Sequence, residues 1–513
     1  MKVFKWKIIF ILCWLLFSWQ MGFFQHMQKG PFGVHQGAQA DRACIAHNYY
    51  TESMNLFLPR VNETRDQTGI IGCELPIVNY TAAIIYKIFG FNDSYYRVMM
   101  WLLMAFGLYA VFSIFRLYGL SNALSLLFSY LWYCSPILMF YTPSYLPDTA
   151  SLSINLIALY FLLKYIKTGH TKKGLIGFAS FSCLAMLIKV TSVILPIAVL
   201  AIIAFSSVFK DKDLSIKLDN KRNWIIGILS AFGIAIIWYQ YSAYLNVKHE
   251  TSLFHLNGRW ATSIDQFKEY WHAFSSNWLG LIYKKWMLVT ILVIYIILLV
   301  KYYKRNLALA LLSLLYVLGS ISFFVLQQAQ FRHHDYYLIT LFPSLLLMLL
   351  FVVTTIKNLK WGFVSKGLLI LLASVFLFIS YSFGKQHLKS RYTPNDYWEQ
   401  SFFYEEDFEE VEKIKKEHNI TRAEKVFVAY DLNPNVVLYF CDLKGYKIAP
   451  DFSQEHLNYL YRLQKPRILI VNDSAYLDHH PKELNIHFKE IAKTKTMTFY
   501  ELDYSDFEKT NKE

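Results

Sequence analysis

Cysteine is scarce and scattered: six residues in 513 make no disulfide framework. Cys44 and Cys73 share one polar stretch, where pairing and two free thiols both stay open, whereas Cys13, Cys134 and Cys183 fall in apolar runs and Cys441 stands alone in the tail. The chain also lacks internal repeats, low-complexity tracts and the inverted pairs of broken apolar spans that transporters carry. Charge is thin, at 17% of residues against 55% apolar and 18% aromatic. A hydrocarbon core of roughly 30 Å needs about 20 apolar residues per helix, and this chain holds many such runs. One soluble core cannot absorb them, so the composition describes a polytopic membrane protein.

Eleven spans are expected, at 6–24, 96–115, 121–141, 147–163, 174–188, 191–208, 224–245, 285–300, 306–326, 337–356 and 367–383, each a helix because backbone groups in lipid must bond internally. With the amino terminus inside, the cytoplasmic segments hold nineteen lysines and arginines and only three acids, Asp211, Asp213 and Asp219, so their net +16 exceeds the +14 of the whole chain. The basic pI is thus a topology signal and gives no support to nucleic-acid binding. An odd number of spans puts the carboxyl-terminal segment outside. Ala38-Gln39-Ala40 resembles a cleavage site but lies too far beyond the first apolar run, so that run is read as an uncleaved anchor.

The expected fold is an all-α polytopic membrane domain at 1–383 followed by an extracytoplasmic soluble α/β domain at 384–513. The first outer loop, 25–95, reads as two interfacial helices, one starting near Asp41 and one over Leu75 to Phe89. The second, 246–284, is dense in aromatics, which suits an interfacial belt or a sugar-stacking surface. The tail holds 19 basic and 23 acidic residues; strands are expected at Lys425 to Asp431, Arg467 to Asp473 and Thr496 to Leu502, with a helix at Ser453 to Gln464. Asp431-Leu-Asn-Pro reads as a strand-to-helix cap in preference to a ligand site. Asn62-Glu-Thr64, Asn79-Tyr-Thr81 and Asn92-Asp-Ser94 are glycosylation sequons of a kind that Asn-rich loops generate by chance.

Ionisable groups at apolar spans are costly and default to function. Those present are Asp41, Glu74, Arg97, Asp148, Lys189 and the run Arg332-His333-His334-Asp335-Tyr336-Tyr337, all on the outer side by the alternation above. Each has a plainer reading: Arg97 and Lys189 as snorkelling cations, Asp148 as a helix cap after Leu146-Pro147, Glu74 as a solvated carboxylate. Adjacent His333 and His334 would point apart on a helix, which argues against a shared metal.

In order along the chain, Asp41, Glu74-Leu-Pro-Ile with Phe89-Gly90 and Arg97, Leu146-Pro147-Asp148, Leu187-Ile-Lys189-Val-Thr191 and His334-Asp335-Tyr336-Tyr337 resemble the GT-C glycosyltransferases, within them the dolichyl-phosphate-mannose protein mannosyltransferase and aminoarabinose lipid A transferase group. The resemblance covers 1–383 and implies transfer of a sugar from a polyprenyl-phosphate carrier to a lipid, protein or polysaccharide acceptor outside the cytoplasm, with Asp41 matching the loop acid. Two positions depart from the pattern. Arg42 stands where many members have Glu, and Glu74 stands where the aminoarabinose transferases have Lys, so a carboxylate at 74 would repel a phosphodiester.

The chemistry agrees on independent grounds. Displacing a polyprenyl phosphate needs a base for the incoming hydroxyl, for which Asp41 is first and Glu74 second, and cations for the leaving phosphate, from Arg97, Lys189, Arg259 and Arg332. A divalent metal is compatible with this but not required. A ligase or polymerase using a diphosphate-linked oligosaccharide is the alternative enzyme, and a lipid-linked sugar transporter the alternative of another class.

Overall fold

The computed structural model describes residues 2–64, 68–168, 172–208, 221–251, 253–254, 260–359, 363–393, 405–429, 431, 433–449, 452–472 and 486–505. The chain divides into two compact units, one of Met1–Gln28, Tyr96–Gln240 and Leu256–Ser390, the other of Lys29–Tyr95, Tyr241–His255 and Arg391–Glu513.

The first unit is helical. Among the described residues six stretches are long and apolar enough to cross a membrane: Asp93–Leu117, Pro147–Thr168, Val190–Ser207, Lys221–Lys248, Lys285–Leu326 and Asp335–Lys357. The 42-residue stretch contains two helices, Lys285–Tyr302 and Leu307–Leu326, parted by a 3₁₀ turn at Tyr303–Asn306. Runs expected at 6–24, 174–188 and 367–383 are helical as Lys2–Gln20, Lys172–Ile188 and Phe363–Ser390. The run at 121–141 is not one helix. It breaks after Asn122–Tyr133 and resumes as the short helix Pro136–Tyr141. Pro136 is the cause, since it lacks an N–H and pushes the preceding Ser135 into the extended region, ψ 134°.

Close backbone approach sets the packing. A Cβ on Gly107 would lie 2.8 Å from the Ser153 Cα, so only glycine lets helices Asp93–Leu117 and Pro147–Thr168 meet there. Side-chain donors tie neighbouring segments together: Ser151 Oγ donates to the Ala185 carbonyl at 2.8 Å, and Trp132 Nε1 to the Phe342 carbonyl at 2.9 Å.

The second unit contains a five-stranded sheet, β1 Lys425–Ala429, β2 Lys444–Ile448, β3 Ile468–Val471, β4 His487–Lys493 and β5 Thr498–Asp503, in the order β2-β1-β3-β5-β4. The β2, β1 and β3 strands run parallel, and β3-β5-β4 antiparallel. Parallel strands are covered on both faces, which explains the unbroken apolar runs of β1 and β3. Val426, Val428, Ile468 and Ile470 pack with Val411 and Ile414 of helix Glu405–Glu417. Phe427, Leu469 and Val471 pack with Leu457, Leu460 and Tyr461 of helix Gln454–Gln464, whose amino end is capped by Ser453 Oγ accepting from the His456 N–H.

The first polar loop belongs to this same unit. Its helix runs Gln36–Thr51, so Asp41 sits inside it and not at its start; the turn is made by His35 in the left-handed region, φ 56°. The second helix is Ile77–Phe89. Between them residues 62–64 lie along the outer edge of β2, with Thr64 N–H donating to the Gly445 carbonyl at 2.8 Å and Gly445 N–H to the Asn62 carbonyl at 3.1 Å.

Candidate active site

In the helical unit, Lys189 falls where helix Lys172–Ile188 stops. It is extended, φ −153° and ψ 118°, and opens the 3₁₀ turn Val190–Val193. The break directs its ammonium to Asp148, in the first turn of Pro147–Thr168, with Nζ 3.2 Å from Oδ1. Both are buried. The same ammonium lies 5.6 Å from the ring centre of Tyr336 and 5.3 Å from that of Tyr337, a cation–π environment. A buried pair of this kind contributes little net stability, yet removing one partner costs about 3–5 kcal/mol because the other charge stays behind.

Around the pair is a cavity of about 20 Å³ lined by Ser151, Asn155, Thr191, Ser192, Tyr316 and Thr340 among others. It has room for one water-sized group. Asn155 Nδ2 donates to Tyr316 Oη at 3.0 Å, and its carbonyl oxygen is buried with no hydrogen-bond partner among the described residues.

The other expected residues of this unit separate into two groups. Asp335, fully buried, accepts from Tyr141 Oη at 2.5 Å, and the ring of its neighbour Tyr336 lies tilted against that of His334, centres 5.3 Å apart. Arg97 braces the chain leading into Asp148, donating to the Pro143 carbonyl at 2.7 Å with its guanidinium 4.9 Å from the Tyr145 ring centre. By contrast Arg332 pairs with Glu269 at 3.0 Å with both side chains about half exposed, 47% and 51%, and His333 is exposed. Arg259 lies outside the described residues. An apolar groove of about 520 Å³, lined by Leu16, Phe17, Leu126, Leu127, Leu377 and Phe378 among others, has no charged side chain in its wall. It suits hydrocarbon, not phosphate.

In the second unit Asp41 is 8% exposed, and its Oδ1 accepts from Asn435 Nδ2 at 2.8 Å. Burial pushes the carboxyl up to about 7, with the Asn435 hydrogen bond and Arg42 acting against that rise. Asp431 caps its own turn, Oδ1 accepting from the Asn433 N–H at 3.1 Å and Oδ2 from the Val437 N–H at 3.0 Å. Burial likewise pushes this carboxyl up to about 7.

Arg42 and Glu74 form a buried ion pair, Nη2 to Oε2 2.7 Å, and the guanidinium rests 4.2 Å from the Phe254 ring centre. The two departures from the family pattern are therefore one interaction: a base at 42 answers an acid at 74. No disulfide joins cysteines among the described residues. Two sequons are internal, since Asn62 Nδ2 donates to the Leu438 carbonyl and Asn79 Nδ2 to the Arg42 carbonyl. Among the described residues no group of three or more His, Cys, Asp and Glu side chains is arranged to hold a metal.

Tyr141 and Asn435 touch candidate carboxylates and Asn155 lines the cavity beside Lys189, and none of the three stands out in the sequence. Tyr141 hides in an aromatic run and Asn155 in an apolar helix, where a lone neutral polar group carries no periodic signal. Asn435 gave one clue, its place next to the Asp431-Leu-Asn-Pro cap.

The family model described as dolichyl-phosphate-mannose-protein mannosyltransferase matches residues 74–238. ArnT from Cupriavidus metallidurans bound to undecaprenyl phosphate superposes with a TM-score of 0.64 at 12% identity, covering 97% of this chain and 98% of that one. The oligosaccharyltransferase AglB from Archaeoglobus fulgidus, in complex with an inhibitory peptide and a dolichol phosphate, superposes with a TM-score of 0.55 at 10% identity over 92% of this chain and 70% of that one. The chain has a GT-C glycosyltransferase fold. Within the GT-C proteins it resembles the mannosyltransferase and ArnT group. No curated protein matches the sequence.

Proposed function

We propose that this protein is a membrane glycosyltransferase that moves a sugar from a polyprenyl-phosphate carrier to an acceptor on the face of the membrane away from the cytoplasm. It crosses the bilayer eleven times, with its amino terminus inside and its tail outside. The observation that carries the reading is the buried Lys189–Asp148 pair: an ammonium held 3.2 Å from a carboxylate in an apolar helical unit is a cation in waiting for a better anion. The full-length likeness to a protein bound to undecaprenyl phosphate supports the same carrier class.

In the proposed reaction Asp41 takes the proton of the acceptor hydroxyl as its oxygen bonds to the anomeric carbon. The bond to the carrier oxygen breaks, and the polyprenyl phosphate leaves with that electron pair, its charge met by Lys189. Lys189 exchanges Asp148 for phosphate, and the small cavity must open to admit it. Arg97 keeps the segment before Asp148 in register, and Glu74 acts through Arg42 in place of serving as a base.

Mass spectrometry of the lipid that co-purifies with the protein tests the carrier. A polyprenyl monophosphate, free or bearing one sugar, is expected; a diphosphate-linked oligosaccharide in its place would overturn the reading in favour of a ligase.

A further inference from the structure

Asn435 immediately precedes helix Val436–Phe440 and is fully buried. Its Oδ1 accepts from two backbone N–H groups, Asn62 at 3.1 Å and Glu63 at 2.8 Å. An amide NH2 carries only donors, so two N–H groups converging on one atom identify that atom as the oxygen. A flip would set NH2 against both of them in a fully buried site, leaving donors unsatisfied. The amide is therefore fixed in one orientation by residues 62 and 63, and its nitrogen has to face Asp41, where it donates to Oδ1 at 2.8 Å.

We propose that Asn435 is a positioning residue: it holds the Asp41 carboxylate as an ionised acceptor with Oδ1 engaged, so that Oδ2 is the oxygen that takes the hydroxyl proton. The proposal rests on the reading of Asp41 as the base. A donor that bonds the charged form favours it. Around Asp41, Arg42 and Lys447 also favour the ionised form, Glu63 and Asp431 oppose it, and burial opposes it most. Asn435 is the largest of the influences that keep the acid charged. Without it a carboxyl already poised near neutrality spends more of its time protonated, a form that has no basicity to offer.

Two substitutions separate this role from simple packing. Asn435→Asp keeps an oxygen for the Asn62 and Glu63 N–H groups but turns a second oxygen toward Asp41 where the donor was. Asn435→Ala removes both contacts and can lose the fold. The decisive measurement is the titration of the Asp41 carboxyl by carbon-13 NMR in the full-length protein labelled at aspartate carboxyls, assigned through Asp41→Asn. In Asn435→Asp the midpoint is expected to move up by about 1–2 pH units, since a charge-assisted hydrogen bond is lost and a like charge gained; the added buried carboxyl also lowers the unfolding temperature, so the titration is read well below the unfolding transition. A midpoint that does not move in Asn435→Asp overturns the proposal, because that variant keeps every backbone contact a merely structural role needs.

The pH profile of mannosyl undecaprenyl phosphate turnover gives the second arm. If its acidic limb moves with the NMR midpoint, both the positioning role and the base assignment gain support. If the midpoint moves and the limb does not, Asn435 still positions the carboxylate and Asp41 is not the base.

Discussion

At the scale of single residues the strongest expectations concern Asp41 and the pair beside it. Asp41→Asn keeps size and the contact with Asn435 while removing basicity, so transfer should fall by roughly 10²–10⁴-fold with donor-lipid binding retained; an unchanged rate in a normally assembled variant would remove Asp41 from the mechanism. Because its carboxyl is pushed up to about 7, the base form is populated only as pH rises through that value. Activity should therefore climb across neutrality, and a flat profile from pH 5 to 8 would contradict the assignment. Arg42→Glu and Glu74→Lys should each cripple the protein singly by stranding a buried charge. Together they restore opposite charges in the orientation the family pattern uses, and transfer by the double variant should recover well above either single one. Asp41, Asp148, Lys189 and Asp335 are candidates on the sequence alone, since a charge at or near an apolar run has few reasons to be there. Their partners are not: Tyr141 and Asn435 are 194 and 394 residues from the carboxylates they touch, and no local pattern encodes such a meeting.

At the scale of elements the legible parts were those with a strong period or an unbroken apolar run. The β1 and β3 strands, covered on both faces, and the capped helix Gln454–Gln464 follow the expected positions closely. The β2 and β4 strands escaped notice because Lys444-Gly-Tyr-Lys-Ile mixes small, charged and aromatic residues, and β4 is largely exposed, so neither shows clear alternation. The break at Pro136 lies within an apolar run, 121–141, whose length by itself fits one span, and the proline is its one local sign. Helix contacts are also sensitive at one residue. Gly107→Ala drives a methyl against the Ser153 backbone, so it should destabilise the protein by about 1–3 kcal/mol, visible as a lower unfolding temperature in detergent; equal stability would mean that the helices separate there at no cost.

For the whole molecule, composition alone announced an integral membrane protein, but it did not reveal which polar segments fold together. Length and charge placed the first loop with the helices, whereas the structure groups Lys29–Tyr95 with the tail in one compact unit. A reporter fused after Glu513 should read the outer compartment, and cytoplasmic activity there would overturn the proposed orientation. The tail expressed by itself as residues 391–513 should self-associate as its concentration rises, because the Gly445 N–H and carbonyl on the open edge of β2 then lose their partners. A monodisperse tail monomer would show that the edge does not need its cover.

That cover comes from the far end of the chain: Thr64 bonds to Gly445, 381 positions away. The strand edge and the segment that shields it must therefore be inherited as a matched set. Recombination that grafts this tail onto another transferase, by nature or by an engineer, delivers an incomplete sheet unless residues 62–64 travel with it.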